Sequence, residues 1–89
     1  MDEERSTNVP VPPQDIEAEK AVLGAMLKSQ DARADVSSIL TPGDFYLNEH
    51  QEIFRTMLEM EQKGVGVDIT TVYSALRQRK TAEMVGGIT

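Results

Sequence analysis

Seven consecutive residues, Ala21-Val22-Leu23-Gly24-Ala25-Met26-Leu27, carry neither a charge nor a polar side chain. At 3.6 residues per turn such a run has no water-facing side, so as a helix it calls for burial on more than one face. It is far shorter than the roughly 20 residues that span a bilayer, so what covers it must be protein. Charged residues precede it, and the pattern predicts a central helix from Asp15 to Ser29. Asp15 is its N-cap, and Glu17 and Glu19 lie at the positive end of the helix dipole. Gly24 costs about 1 kcal/mol in mid-helix relative to Ala, which implies that another backbone passes close to it.

Three further helices follow from apolar periodicity. The second covers Asp31 to Leu40, with Ala32, Val36, Ile39 and Leu40 on one face, and Thr41-Pro42-Gly43-Asp44 stops it. Phe45 and Tyr46 come next and read as a packing plug. The third runs from Asn48 to Lys63, with Asn48 and Gln51 forming a capping-box variant. Ile53, Phe54, Met57 and Leu58 make its buried stripe, Glu52, Arg55, Glu59 and Lys63 face water, and Glu59 pairs with Lys63. Gly64 suits the position just past its end. The fourth starts at the N-cap Asp68 and ends near Lys80, with Ile69, Val72, Tyr73 and Leu76 repeating on one side. Arg77, Arg79 and Lys80 then fall in its last turn, where the dipole favours cations. A short turn over Ala82 to Val85 precedes Gly86-Gly87.

The expected fold is therefore all-α: a small compact bundle of about five helices. Residues 13–89 form the helical unit and residues 1–12 an acidic, proline-rich flexible tail, because Val9-Pro10-Val11-Pro12-Pro13 cannot be helical. The expected core is Val22, Leu23, Met26, Leu27, Ile39, Phe45, Ile53, Phe54, Met57, Leu58, Val72 and Leu76. Met26 and Met57 belong to it, whereas Met60, one step off the stripe, reads as its edge.

Composition narrows the function. No cysteine is present, which excludes disulfides and thiolate metal sites and fits a reducing cytosol. The acidic start, Met1-Asp2-Glu3-Glu4, is not a signal peptide. A net charge of −6 disfavours general nucleic-acid binding, because phosphate contacts need Lys and Arg. None of the six glycines opens a phosphate-binding G-x-x-x-x-G-K-[ST] pattern. His50 is the only histidine and reads as structural. Glu17 and Glu19, two apart on a helix, point to different faces and do not make an acid–base pair. No catalytic residue, cofactor site or metal site is expected. One competing pattern is a helix-turn-helix, in which helices three and four flank Gly64-Val65-Gly66 and Arg77, Arg79 and Lys80 reach DNA. Those bases, however, sit at the wrong end of the would-be recognition helix, and the chain is acidic.

The run from Pro12-Pro13-Gln14-Asp15 through Leu27 resembles the opening of replicative DNA helicases of the DnaB type. Further stretches follow in the family's order. Pro42-Gly43-Asp44-Phe45-Tyr46 is similar to a family loop, His50-Gln51-Glu52-Ile53-Phe54 to the start of its next helix, Gly64 to Thr71 to the G-x-x-V-D-x-x-T stretch, and Val85-Gly86-Gly87 to a V-G-G turn. The resemblance covers residues 12–89. It implies a cytoplasmic, non-catalytic N-terminal domain, part of a longer protein, that sits as a collar on a ring-shaped hexamer. Such a domain supports assembly with other helicase subunits and docks the primase C-terminal domain or a helicase loader within the primosome. ATP and magnesium would be used by a separate motor domain, and no direct nucleic-acid or membrane contact is expected here. The expected docking residues are Gln14, Glu17 and Lys20 at the start of the first helix, then Arg77, Arg79 and Lys80.

Overall fold

The computed structural model describes residues 15–88, with side chains described for residues 15–81. The expected tail over residues 1–12 lies outside that range, as does Gln14. Four α-helices and one short 3-10 turn make up the described chain, and it contains no strand. The helices are α1 (Ile16–Lys28), α2 (Gln30–Ser37), α3 (Asn48–Gln62) and α4 (Ile69–Ile88), and the 3-10 turn is Pro42–Asp44. The all-α class stands, but with four helices in place of about five. The expected fifth segment is continuous with α4, whose backbone stays helical through Gly86 and Gly87.

Local chemistry sets most boundaries. The Asp15 carboxylate accepts from the Ala18 amide at 3.1 Å and starts α1. Ser29 ends α1 and begins α2, its hydroxyl accepting from the Ala32 amide at 3.1 Å. A shared cap of this kind lets two helices meet at a sharp angle with no loop. Gly64 adopts φ 75°, and the amides of Gly64 and Val65 bond back to the carbonyls of Glu61 and Met60. That is the paired bonding of a Schellman end, which needs a left-handed residue at this position. Asp68 and Thr71 cap α4 reciprocally, each side chain accepting from the other's amide at 2.9 and 3.0 Å.

The third cap departs from expectation. The N-cap of α3 is Leu47, which has no side-chain cap bond, and Gln51 instead donates to the Phe45 carbonyl at 2.8 Å. The expected capping box between Asn48 and Gln51 is therefore not formed.

The central element is α3, not α1. It packs against α1, the 3-10 turn and α4, and buries His50, Phe54, Thr56, Met57 and Met60. Phe54 meets Phe45 with ring centroids 5.1 Å apart. Leu23, Met26, Phe45, Phe54, Met57, Met60 and Val72 form the buried core, with Val22, Leu27, Ile53, Leu58 and Leu76 half-buried against it. Met60 is thus inside, because α4 returns along that side of α3.

Several expectations fail for identifiable reasons. Ala21 and Ala25 are exposed, so the apolar run of α1 is buried on one side only. No atom lies within 4 Å of a Cβ built on Gly24, so no backbone approaches it. Ile39, expected in the core, is 76% exposed. The chain leaves α2 at Ser38, and a tight Ile39–Val36 backbone bond turns the Ile39 side chain outward. Tyr46 is exposed beside buried Phe45, and Ile69 and Tyr73 on α4 face solvent.

Candidate functional site

The start of α1 separates its two glutamates. Glu17 is exposed and pairs with Lys20 at 3.4 Å, an exposed pair of the kind that contributes little to stability. Glu19 turns inward. One carboxylate oxygen accepts from the Tyr46 amide at 2.6 Å, and the other lies 2.7 Å from His50 Nδ1. Burial works against ionisation of Glu19. Bonds from the Tyr46 amide, His50 and the Leu47 amide nevertheless hold its carboxyl below the ordinary glutamate value. Glu19 thereby ties α1 to the segment that leads into α3 and to His50 in its first turn, where a carboxylate is favoured by the dipole of α3. Glu17 and Lys20 are thus displayed on a helix whose orientation is fixed from beneath.

The basic cluster of α4 is split. Arg79 folds back on α3, donating to Glu52 at 2.9 Å and also to Glu59. These bonds, that to Glu52 foremost, raise its pKa above the ordinary arginine value. Glu59 is engaged by Arg79, not by the expected Lys63. Arg77 and Lys80 point outward, and the Arg77 guanidinium lies 5.7 Å above the Tyr73 ring. None of the three is in the last turn, because α4 continues to Ile88. A helix-turn-helix would therefore have two outward cations here, not three, on a helix of 20 residues.

One polar cluster escaped the sequence reading. Arg33 is buried on α2, bonding the Met26 carbonyl at 2.6 Å and Glu61 at 2.5 Å. It closes the carbonyl end of α1 and ties α2 to the end of α3. A signal existed: Arg33 precedes Val36 and Leu40 at i, i+3, i+7 spacing, a cation on an apolar stripe. Glu19 extends the Leu23–Met26 stripe in the same way, and His50 extends that of Phe54 and Met57.

Among the described residues no group of three or more His, Cys, Asp or Glu side chains is placed to hold a metal ion. No helix among them is long and apolar enough to cross a membrane.

Fold and surface together define a small helical domain whose buried ionic groups join its own helices and whose remaining charges are presented outward. The family described as DnaB-like helicase N terminal domain matches residues 11–89. Replicative DNA helicase DnaB of Geobacillus stearothermophilus is 45% identical over 78 residues, covering 88% of this chain and 17% of the relative. Replicative DNA helicase DnaC of Bacillus subtilis (strain 168) is 46% identical over 78 residues, with the same coverage. The crystal structure of the N-terminal domain of DnaB helicase from Mycobacterium tuberculosis superposes with a TM-score of 0.74 at 43% identity, over 85% of this chain and 55% of that one. The chain belongs to the DnaB-like helicase N-terminal domain family. It spans about a sixth of the length of the curated relatives it matches.

Proposed function

We propose that this chain serves DNA replication as the non-catalytic N-terminal domain of a hexameric replicative helicase, contributing to ring assembly and docking the primase C-terminal domain or a helicase loader in the cytoplasm. ATP and magnesium chemistry, with DNA translocation, is assigned to a separate motor domain. The family match along residues 11–89 carries this reading. The surface is compatible with it: Glu17, Lys20, Arg77 and Lys80 are exposed and suit a salt-sensitive, transient contact.

Calorimetric titration of the chain with the cognate primase C-terminal domain, and separately with the loader, tests it. Weak binding that declines with added salt is expected from at least one. Absence of binding to both would defeat the docking role. Submicromolar duplex binding in a mobility shift, lost on Arg77→Ala, would favour a DNA-binding protein instead.

A further inference from the structure

We infer that the register of α1 on α3 is set by two polar pins, one at each end of their contact, and not by the apolar core between them. The first pin is the Glu19 carboxylate, which accepts from the Tyr46 amide at 2.6 Å and lies 2.7 Å from His50 Nδ1. The second is the Arg33 guanidinium, which donates to the Met26 carbonyl at 2.6 Å and to Glu61 at 2.5 Å. The side chains of Glu19, His50 and Arg33 are 13%, 9% and 9% exposed, so these contacts are made inside the chain and do not depend on what lies against its outer faces.

Spacing makes the two pins act together. Glu19 and Met26 are seven residues apart, and His50 and Glu61 eleven, close to two and three whole turns. Each pair therefore lies along one side of its helix, separated by about 10.5 Å on α1 and about 16.5 Å on α3 at 1.5 Å per residue. One pin would leave α1 free to pivot, whereas two hold both its tilt and its position along α3. The core between them is softer. Three of its seven buried residues are methionines, Met26, Met57 and Met60, flexible side chains that refill space after a shift and specify packing poorly. Sliding α1 by one turn, about 5.4 Å, would let these side chains repack. It would also part Glu19 from the Tyr46 amide and from His50. Arg33, carried along by the loop-free joint at Ser29, would part from Glu61. A satisfied polar network admits one arrangement where adaptable apolar contact admits several.

The chain has no cysteine, so a single nitroxide can be placed on α1 through Ala21→Cys or Ala25→Cys, both at exposed positions. Paramagnetic broadening of the α3 amide resonances then reports where each end of α1 lies. Arg33→Met is expected to displace the profile from position 25 by a turn or more along α3, and Glu19→Met to displace that from position 21. Met26→Leu combined with Met57→Leu and Met60→Leu, close in volume to the original core, should leave both profiles unchanged. Wild-type profiles in either pin variant would overturn the proposal, as would a displaced profile in the triple leucine variant. Where Arg33→Met or Glu19→Met loses its helical far-UV signal, Arg33→Lys or Glu19→Gln, each keeping part of a pin, is read in its place. The nearer profile should then spread along α3, and an unchanged profile would overturn the proposal equally.

Discussion

The helices α3 and α4 read alike in sequence, each a capped segment with apolar residues at helical spacing, yet they end in different environments. The stripe of α3 is covered over its whole length, from His50 through Phe54 and Met57 to Met60. Along α4, Val72 is buried and Leu76 half-buried, while Ile69 and Tyr73 of the same expected stripe face water. The reason is position. Three neighbours surround α3, whereas α4 packs chiefly on α3. A periodic apolar pattern therefore states what a helix can bury, and its neighbours decide what it does bury.

The sharpest way to break this comparison is Phe54→Ala, which empties the centre of α3. Loss of a fully buried phenylalanine costs about 3–5 kcal/mol. Against a typical domain stability of about 5–15 kcal/mol, this should bring the protein close to unfolding, as urea denaturation would reveal. A mild effect would mean that α3 is not the centre of the core.

Next in size is Arg33→Ala, which leaves the Met26 carbonyl and Glu61 without their partner. The bond to the Met26 carbonyl is buried, and leaving that group unsatisfied costs about 1–3 kcal/mol, whereas exposed Glu61 can turn to water, so a loss of about 1–3 kcal/mol is expected in the same assay. Arg33→Lys should rescue only part of it, because one ammonium cannot reproduce the two-pronged geometry.

Glu19→Gln probes the polar end of the α3 stripe and should cost about 1–2 kcal/mol near neutral pH. The carboxyl is depressed in the folded state relative to its ordinary value of 4.5. Its contribution is therefore complete above that value and is lost as pH falls through the folded value. Wild-type stability should drop with acidification below about pH 4.5, and the Glu19→Gln profile should be flatter there. Identical slopes for the two proteins would contradict the role assigned to Glu19.

Smaller, and of opposite sign, is Gly24→Ala. The site is helical with open space around the position of a Cβ, so a gain of up to about 1 kcal/mol is expected in thermal melting. Destabilisation would mean that something does approach Gly24. The smallest effects belong to α4: Ile69→Ser and Tyr73→Ala should each change stability by no more than about 0.5 kcal/mol. A larger loss would place these side chains in the core and dissolve the contrast between the two helices.

Much of the candidate site was legible one residue at a time. That Glu17 and Glu19 occupy different faces follows from helical spacing alone, and the grouping of Arg77, Arg79 and Lys80 is visible on inspection. Which of those cations stays free was not legible, because it depends on Glu52 and Glu59 arriving from a helix, 27 and 20 residues before Arg79. Arg33 was missed for a related reason. A charged residue on an apolar stripe is normally a surface residue, and only the meeting of the Met26 carbonyl and Glu61 makes its burial favourable.

Family membership, the all-α class and the caps at Asp15, Gly64 and Asp68 were within reach of the sequence, because each rests on local backbone chemistry or on residue order. Tertiary structure alone decided that α3 is the centre, that Glu19 binds the segment leading into α3 and His50, that Ile39 leaves the core and that Tyr73 stays outside it. Helix propensity and capping act over one or two turns, so nearby residues determine them. Burial and ion pairing are settled by which distant surfaces meet, and the periodicity of one segment carries no record of its neighbours.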